Sequence, residues 1–323
     1  GPVVVTNCTF DGNGADGFSP ETSVVGDLEI DGGHANGNLD DGYDLRVVGT
    51  VTVTGATASG NADNGFAVDN QETVLFEDCI ANDNQLGSGF SISWQDPNPL
   101  DRVSISDCTA NSNGLSGGGN GIIVKYVEGL VTVIGTTTNG NSRTGVRVDA
   151  TSGVVFVRNA VSSFGLEEGF KIDADVGPVT VKDCLADDNG LEGLRVNGES
   201  VDVESLTLTR NTFVNNDGAG VALFDLGGAG PFKARCNDIA GNTHGMYLDS
   251  SVTVDARQVW WSDPAGPSGQ GPGAGDTVYA EPGGTILFDP WLLGTFATAG
   301  WGCPISEVNF ETGTLDEWDH VVP

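Results

Sequence analysis

The chain has 323 residues and sets 45 Asp and Glu against 13 Lys and Arg, a formal net charge of −32, with 49 Gly and 7% aromatic residues. That field excludes nucleic acid as a natural partner, because phosphate binding needs clustered Lys and Arg, and it disfavours anionic membrane surfaces. No apolar run approaches the roughly 18 residues of a membrane-spanning helix, so no membrane span is expected.

Taken in chain order, the elements repeat. A glycine followed by apolar, any residue and apolar appears at Gly17-Phe18, Gly42-Tyr43-Asp44-Leu45, Gly65-Phe66-Ala67-Val68 and Gly89-Phe90-Ser91-Ile92. It recurs at Gly121-Ile122-Ile123-Val124, Gly145-Val146-Arg147-Val148, Gly169-Phe170-Lys171-Ile172 and Gly193-Leu194-Arg195-Val196. The last two are Gly220-Val221-Ala222-Leu223 and Gly245-Met246-Tyr247-Leu248. Successive glycines lie 25, 23, 24, 32, 24, 24, 24, 27 and 25 residues apart. A fixed period in this range signals a solenoid. Between the glycines runs a second alternation, as in Val51-x-Val53, Val103-x-Ile105, Val131-x-Val133 and Val179-x-Val181. Period-two alternation in short Val- and Ile-rich runs predicts strands with one buried face. Gly, Asn, Asp and Ser between them supply turns. One such unit cannot bury its apolar side alone and must stack on its neighbours.

Two further columns run through the repeat. One position holds Asn13, Asn38, Asn61, Asn84, Asn113, Asn141, Asn189, Asn216 and Asn242, with Gly165 as the exception. Stacked amides in register predict a hydrogen-bonded ladder. Five residues earlier lie Cys8, Gly33, Ala56, Cys79, Cys108, Thr136, Ala160, Cys184, Asn211 and Asn237. These are mostly small or polar, as a tight inward corner requires. On these residues the chain resembles the right-handed parallel β-helix repeat family of the pectin-lyase-like superfamily, in its surface-protein form. The resemblance spans residues 1–262 and implies an all-β, right-handed parallel solenoid of about ten coils, in keeping with the crossover rule. It implies no single activity, since one scaffold hosts many functions.

Composition changes after Val259-Trp260-Trp261. Residues 263–303 open with a Pro/Gly loop and continue through Thr285-Ile286-Leu287-Phe288 and Asp289-Pro290-Trp291-Leu292-Leu293. This segment resembles the closing part of surface β-helix proteins, which predicts a C-terminal cap with its tryptophans over the last coil. Sugar stacking by Trp260, Trp261 or Trp291 is the alternative. Residues 304–323 read as a linker, or as the start of a further β-domain through Val308-Asn309-Phe310. The chain is expected to be a monomeric piece of a larger secreted or surface protein, truncated at its N-terminus.

Candidate chemistry sits on the outward side of the Gly-started strands. Arg147, Lys171 and Arg195 fall in register on consecutive coils, with Asp149, Asp173 and Asn197 two residues on. A uronate lyase needs a cation for the enolate and a base for the proton. A glycosidase needs paired carboxylates, which Asp149 and Asp173 could supply. The alternative is an exposed ion-pair ladder worth about 0–1 kcal/mol per pair. Trp94 and Tyr126 share a register beside the longest insertion and are candidates for stacking on a sugar or for packing that loop down. His34, His244 and His320 are scattered, and no Ser or Cys arrangement suggests a triad. No cofactor is expected, although Asp and Asn are hard oxygen ligands suited to calcium. Cys236 and Cys303 lie outside the cysteine column and are the candidates for a disulfide, which would fit an extracellular setting. The expected function is a non-catalytic extracellular module for adhesion, spacing or glycan contact. A polysaccharide lyase or glycosidase is the alternative.

Overall fold

The computed structural model describes residues 2–20, 24–70, 72–93, 100–150, 152–174, 177–198 and 203–298. Among them every regular element is a strand, and every strand pairing between coils is parallel. The Gly-started sheet runs through Tyr43–Val48, Phe66–Asn70, Phe90–Ser93, the first part of Ile122–Ile134, Val146–Ala150, Phe170–Ala174, Leu194–Asn197, Ala219–Phe224 and His244–Asp249. Its register aligns equivalent residues of each repeat, as in Ile123↔Arg147, Arg147↔Lys171 and Lys171↔Arg195. The second sheet takes up Val3–Thr6, Leu28–Asp31, Thr50–Thr54, Thr73–Glu77 and their successors through Thr253–Asp255. A third, narrow sheet joins Val161–Ser163, Leu185–Asp187, Thr212–Val214 and Asp238–Ala240. In earlier coils it shrinks to single bridges such as His34↔Thr57 and Thr57↔Ile80.

Two left-handed residues per coil turn the chain. One column is Asn7, Gly32, Gly55, Asp78, Asp107, Gly135, Asn159, Asp183, Arg210 and Cys236, each at positive φ. It immediately precedes the cysteine column. The other is Gly12, Gly37, Gly60, Asp83, Ser112, Gly140, Phe164, Asp188, Asn215 and Gly241, immediately before the asparagine ladder. Gly, Asn and Asp tolerate this region at least cost, so turn chemistry at two fixed offsets sets the cross-section of the coil. The repeat glycine itself has a different reason. A Cβ on Gly65 would sit 2.7 Å from the carbonyl oxygens of Ala58 and Gly89, so close stacking of coils excludes a side chain there.

The core lies between the sheets. Tyr43, Phe66 and Phe90 stack face to face on successive coils with centroids 5.1 Å apart, and Phe76 meets Phe66 and Phe90 edge-on. The asparagine ladder runs beside this core. Asn13 Nδ2 donates to Asn38 Oδ1, Asn38 to Asn61, Asn61 to Asn84, Asn84 to Asn113 and Asn113 to Asn141, at 2.9–3.1 Å. After the break at Gly165 it resumes from Asn189 to Asn216 and Asn242. Asp276 Oδ2 then accepts from Asn242. The break itself is testable. A Cβ on Gly165 would meet Arg143 O and Asn189 Oδ1 at 3.2 Å, and its φ is not left-handed. Gly165→Asn should therefore join the two halves of the ladder, raising Tm by about 2–4 °C. A thermal melt with Tm unchanged or lowered would show that the gap cannot hold an amide.

Pairing runs on past residue 262. Tyr247 pairs with Tyr279 in Gly275–Ala280, and Val254 with Ile286 in Thr285–Leu287. The segment after the Pro/Gly loop thus adds further strands to both sheets. Trp261 is wholly buried in the core, which removes it as a sugar platform. Trp291 packs partly buried against the core, its Nε1 donating to Pro264 O.

Candidate functional site

The three cations stand in one row. Arg147 Nε donates to Asp149 Oδ1 at 2.9 Å, and Arg147 Nη2 lies 3.7 Å from Asp173 Oδ2. Lys171 Nζ is 3.6 Å from the same oxygen. Arg195 instead lies over the Phe224 ring, 4.5 Å from its centroid. Asp149 pairs in register with Asp173. Burial, with the neighbouring Asp149 carboxylate, pushes Asp173 up to about 6 against the pull of Lys171 and Arg147. Two of the cations therefore neutralise their own carboxylates, and the raised acid is only 6% exposed beneath them.

The row extends further than the repeat pattern suggests. Ala222 pairs with Tyr247, and Tyr247 with Tyr279. Phe224 and Tyr247 have centroids 5.6 Å apart, and Tyr247 and Tyr279 stack at 5.9 Å with their planes 9° apart. Tyr247 Oη donates to Glu281 Oε1 at 3.1 Å. Tyr247 holds the row's place in the repeat Gly245-Met246-Tyr247-Leu248, whereas Tyr279 escapes the repeat pattern because its strand follows an irregular loop. At the other end of the face, Asp44, Arg46, Ala67, Asp69, Ser91 and Ser93 line a shallow depression where small side chains lie between larger ones.

Other expected residues are placed as follows. Tyr126 is exposed at positive φ, at a register irregularity between Lys125 and Val127. Trp94, its expected partner, lies outside the described residues, as do His320 and Cys303. Cys236 is disulfide-bonded, while Cys8, Cys79, Cys108 and Cys184 are free thiols. Burial pushes Cys184 up to about 12, so it is inert as a nucleophile. The histidines differ in one respect from the expectation of no triad. His34 Nε2 lies 3.2 Å from Thr9 Oγ1, and its Nδ1 lies 2.9 Å from Asp11 Oδ2. The hydroxyl is a threonine's and was therefore missed. The group is solvent-exposed, without the dry setting that makes such a line catalytic.

The carboxylates of Asp16, Asp40 and Asp41 converge with oxygens within 4.8 Å of one another, the arrangement among the described residues best suited to a hard cation. Burial is the main reason Asp41 is raised to about 7, with Asp63 and Asp40 adding to it. Burial also raises Asp238 to about 6. A carboxyl whose folded value lies above its unfolded value stabilises the fold most when protonated, and that contribution is lost as pH rises through the folded value. Asp41, Asp173 and Asp238 therefore predict a Tm that climbs by roughly 5 °C from pH 8 to pH 5, discounted for partial solvent screening at Asp41. Asp255, held well below the usual range by Arg257 and Arg235, opposes this only in stronger acid. Thermal melts across that range test the slope, and Asp41→Asn should flatten its limb near pH 7. A Tm that falls on acidification would contradict the reading.

The parallel coils, inward alternation and polar ladders define a β-solenoid whose one broad outward face carries the charged and aromatic rows. The chain belongs to the right-handed β-helix family: the family model described as right handed beta helix region matches residues 1–126 and 98–259. No curated protein and no solved structure gave a match to it.

Proposed function

We propose that the protein is a non-catalytic β-helix module of a secreted or cell-surface protein, serving as a monomeric spacer that makes contact with glycans. The observation that carries this reading is the state of the cation row. Arg147 and Lys171, two of the three cations in the row, are engaged by Asp149 and Asp173 at 2.9–3.7 Å, and the third, Arg195, lies over the Phe224 ring. A disulfide at Cys236 accords with an oxidising location. The net charge of −32 suits a soluble exterior. Calcium, if bound, would sit at Asp16, Asp40 and Asp41 as a structural ion.

One observation favours a second reading, polysaccharide cleavage. Asp173, raised to about 6 beside Asp149, has the protonation a general acid needs. A screen of the protein against uronate and neutral polysaccharides, with and without calcium, separates the two. It would follow unsaturated products by absorbance and new reducing ends. The module reading expects no product from any of them. Product that vanishes in Asp173→Ala or Lys171→Ala would replace it with the enzyme reading.

A further inference from the structure

The outward side of the second sheet is sorted by charge along the axis. Its early coils present Asp27, Glu29, Asp31, Glu77, Asp78 and Asp107, all exposed, with Arg102 as the cation among them. Its late coils present Arg158, Lys182, Arg210, Lys233, Arg235 and Arg257. These six are nearly half of the 13 Lys and Arg in the chain. The carboxylates beside them are Asp183, Glu204 and Asp255. Asp183 is shared by Arg158 at 3.6 Å and Arg210 at 2.6 Å, and Asp255 by Arg235 and Arg257. Each therefore leaves a surplus of positive charge. Between the two ends the face turns apolar: Leu75, Ile134 and Phe156 are half-buried, and Val154 is 42% exposed.

We infer that this face pairs with the same face of a second copy of the chain, the two rods antiparallel. A two-fold interface sets one patch against itself, so the patch must carry its own complement. With the rods in the same direction, every coil would meet its own equivalent, acid on acid and arginine on arginine. Reversing one rod about the coil of Thr132 and Ile134 removes that conflict. Along the paired registers Glu29 lies four strands before Thr132 and Lys233 four after it. Along the same strands Glu77 and Asp31 lie two and four before Ile134, and Lys182 and Arg235 two and four after. Each acid of one copy thus faces a cation of the other. On the axis a residue meets its own copy, and Thr132 and Ile134 there are uncharged. Among the described residues, Glu29, Asp31 and Lys233 have no ion-pair partner within their own chain. From Leu28–Asp31 to Thr253–Asp255 the face spans roughly 45 Å along the axis and 17 Å along the strands. That is close to the roughly 800 Å² per partner of a standard interface. Repulsion between two chains of −32 is screened beyond about 8 Å at physiological ionic strength, so the contacting charges decide. The rod stays single when dilute, as in the spacer reading, and pairs where copies are crowded.

Sedimentation velocity of the whole chain over a wide range of concentration, at about 0.15 M salt, tests this. The parent should move from monomer to dimer as concentration rises. Glu29→Lys sets like charges together at two places in the two-fold contact and should weaken association at least about tenfold. Lys233→Glu should do the same. An equimolar mixture of the two variants should regain the parental dimer, because each reversal then meets its opposite on the other copy. Asp217→Lys makes the same change of net charge as Glu29→Lys at an exposed corner away from this face, and should leave association unchanged. Thermal melts would verify that each variant is folded. A parent that stays monomeric at every concentration would overturn the pairing. So would a Glu29→Lys or Lys233→Glu variant that associates as well as the parent, or a mixture that associates no better than its components.

Discussion

Asn113→Ala should cost about 3–5 kcal/mol, far more than the same change at the first asparagine of the ladder. Asn113 Nδ2 donates both to Asn141 Oδ1 at 3.0 Å and to Ala81 O at 2.9 Å. Its Oδ1 accepts from the Asn84 backbone N–H at 3.2 Å and from Asn84 Nδ2 at 2.9 Å. Asn113 is fully buried, so water cannot replace what alanine removes. The Asn84 N–H and the Ala81 carbonyl are left unmet, each at about 1–3 kcal/mol, and a small void adds to this. Asn13 has one ladder neighbour and lies near solvent, where it also donates to Phe10 O. Asn13→Ala should cost about 1 kcal/mol. Urea unfolding of both variants, read by circular dichroism, makes the comparison. Equal costs would mean that the column is a set of turn residues and not a coupled ladder. Because each coil touches only its neighbours, the central variant should also broaden the transition and split the probes.

Phe66→Ala should cost about 3–5 kcal/mol, lowering Tm by roughly 10 °C. Phe66 is the centre of the aromatic column. It stacks on Tyr43 and Phe90 at 5.1 Å and takes the edge of Phe76 at 5.2 Å. None of the four rings is more than 1% exposed. Two sheets hold the site open, so the cavity cannot collapse. The neighbouring Tyr43→Phe should behave in the opposite way. Tyr43 Oη is buried with no hydrogen-bonding partner, and burial drives its phenol well above the usual range. Removing that oxygen should stabilise the fold by about 1 kcal/mol. Differential scanning calorimetry of the two variants would show shifts of opposite sign. A destabilised Tyr43→Phe would mean that the hydroxyl has a partner, such as a bound water.

Much of this architecture was readable in one dimension because the solenoid is nearly one-dimensional. Each repeat pairs with the next at a fixed offset, so Arg147, Lys171 and Arg195 stand together in space as they do in sequence period. The asparagine ladder was readable for the same reason, including its gap at Gly165. What was not readable lies where the period fails. Tyr279 entered the outward row through a strand after a Pro/Gly loop. Thr9 reached His34 because a threonine in the narrow third sheet had no signal beyond turn composition. Trp261 was expected in a cap over the last coil, and its burial in the core agrees with that placement over the sugar-stacking alternative; that further strands of both sheets lie beyond it was not readable.

The sequence by itself determined the coil: where it turns, which side faces inward, and which residues of successive repeats meet. Local terms set these, namely glycine where coils crowd, left-handed Asn and Asp at two corners, and alternation of period two. Only the tertiary structure decided the partnerships across the surface. Asp173 takes both Arg147 and Lys171, Arg195 turns to Phe224, and three polar atoms beside them are left unmet. Those outcomes depend on side-chain reach between coils, over distances that a repeat pattern of residue types does not encode.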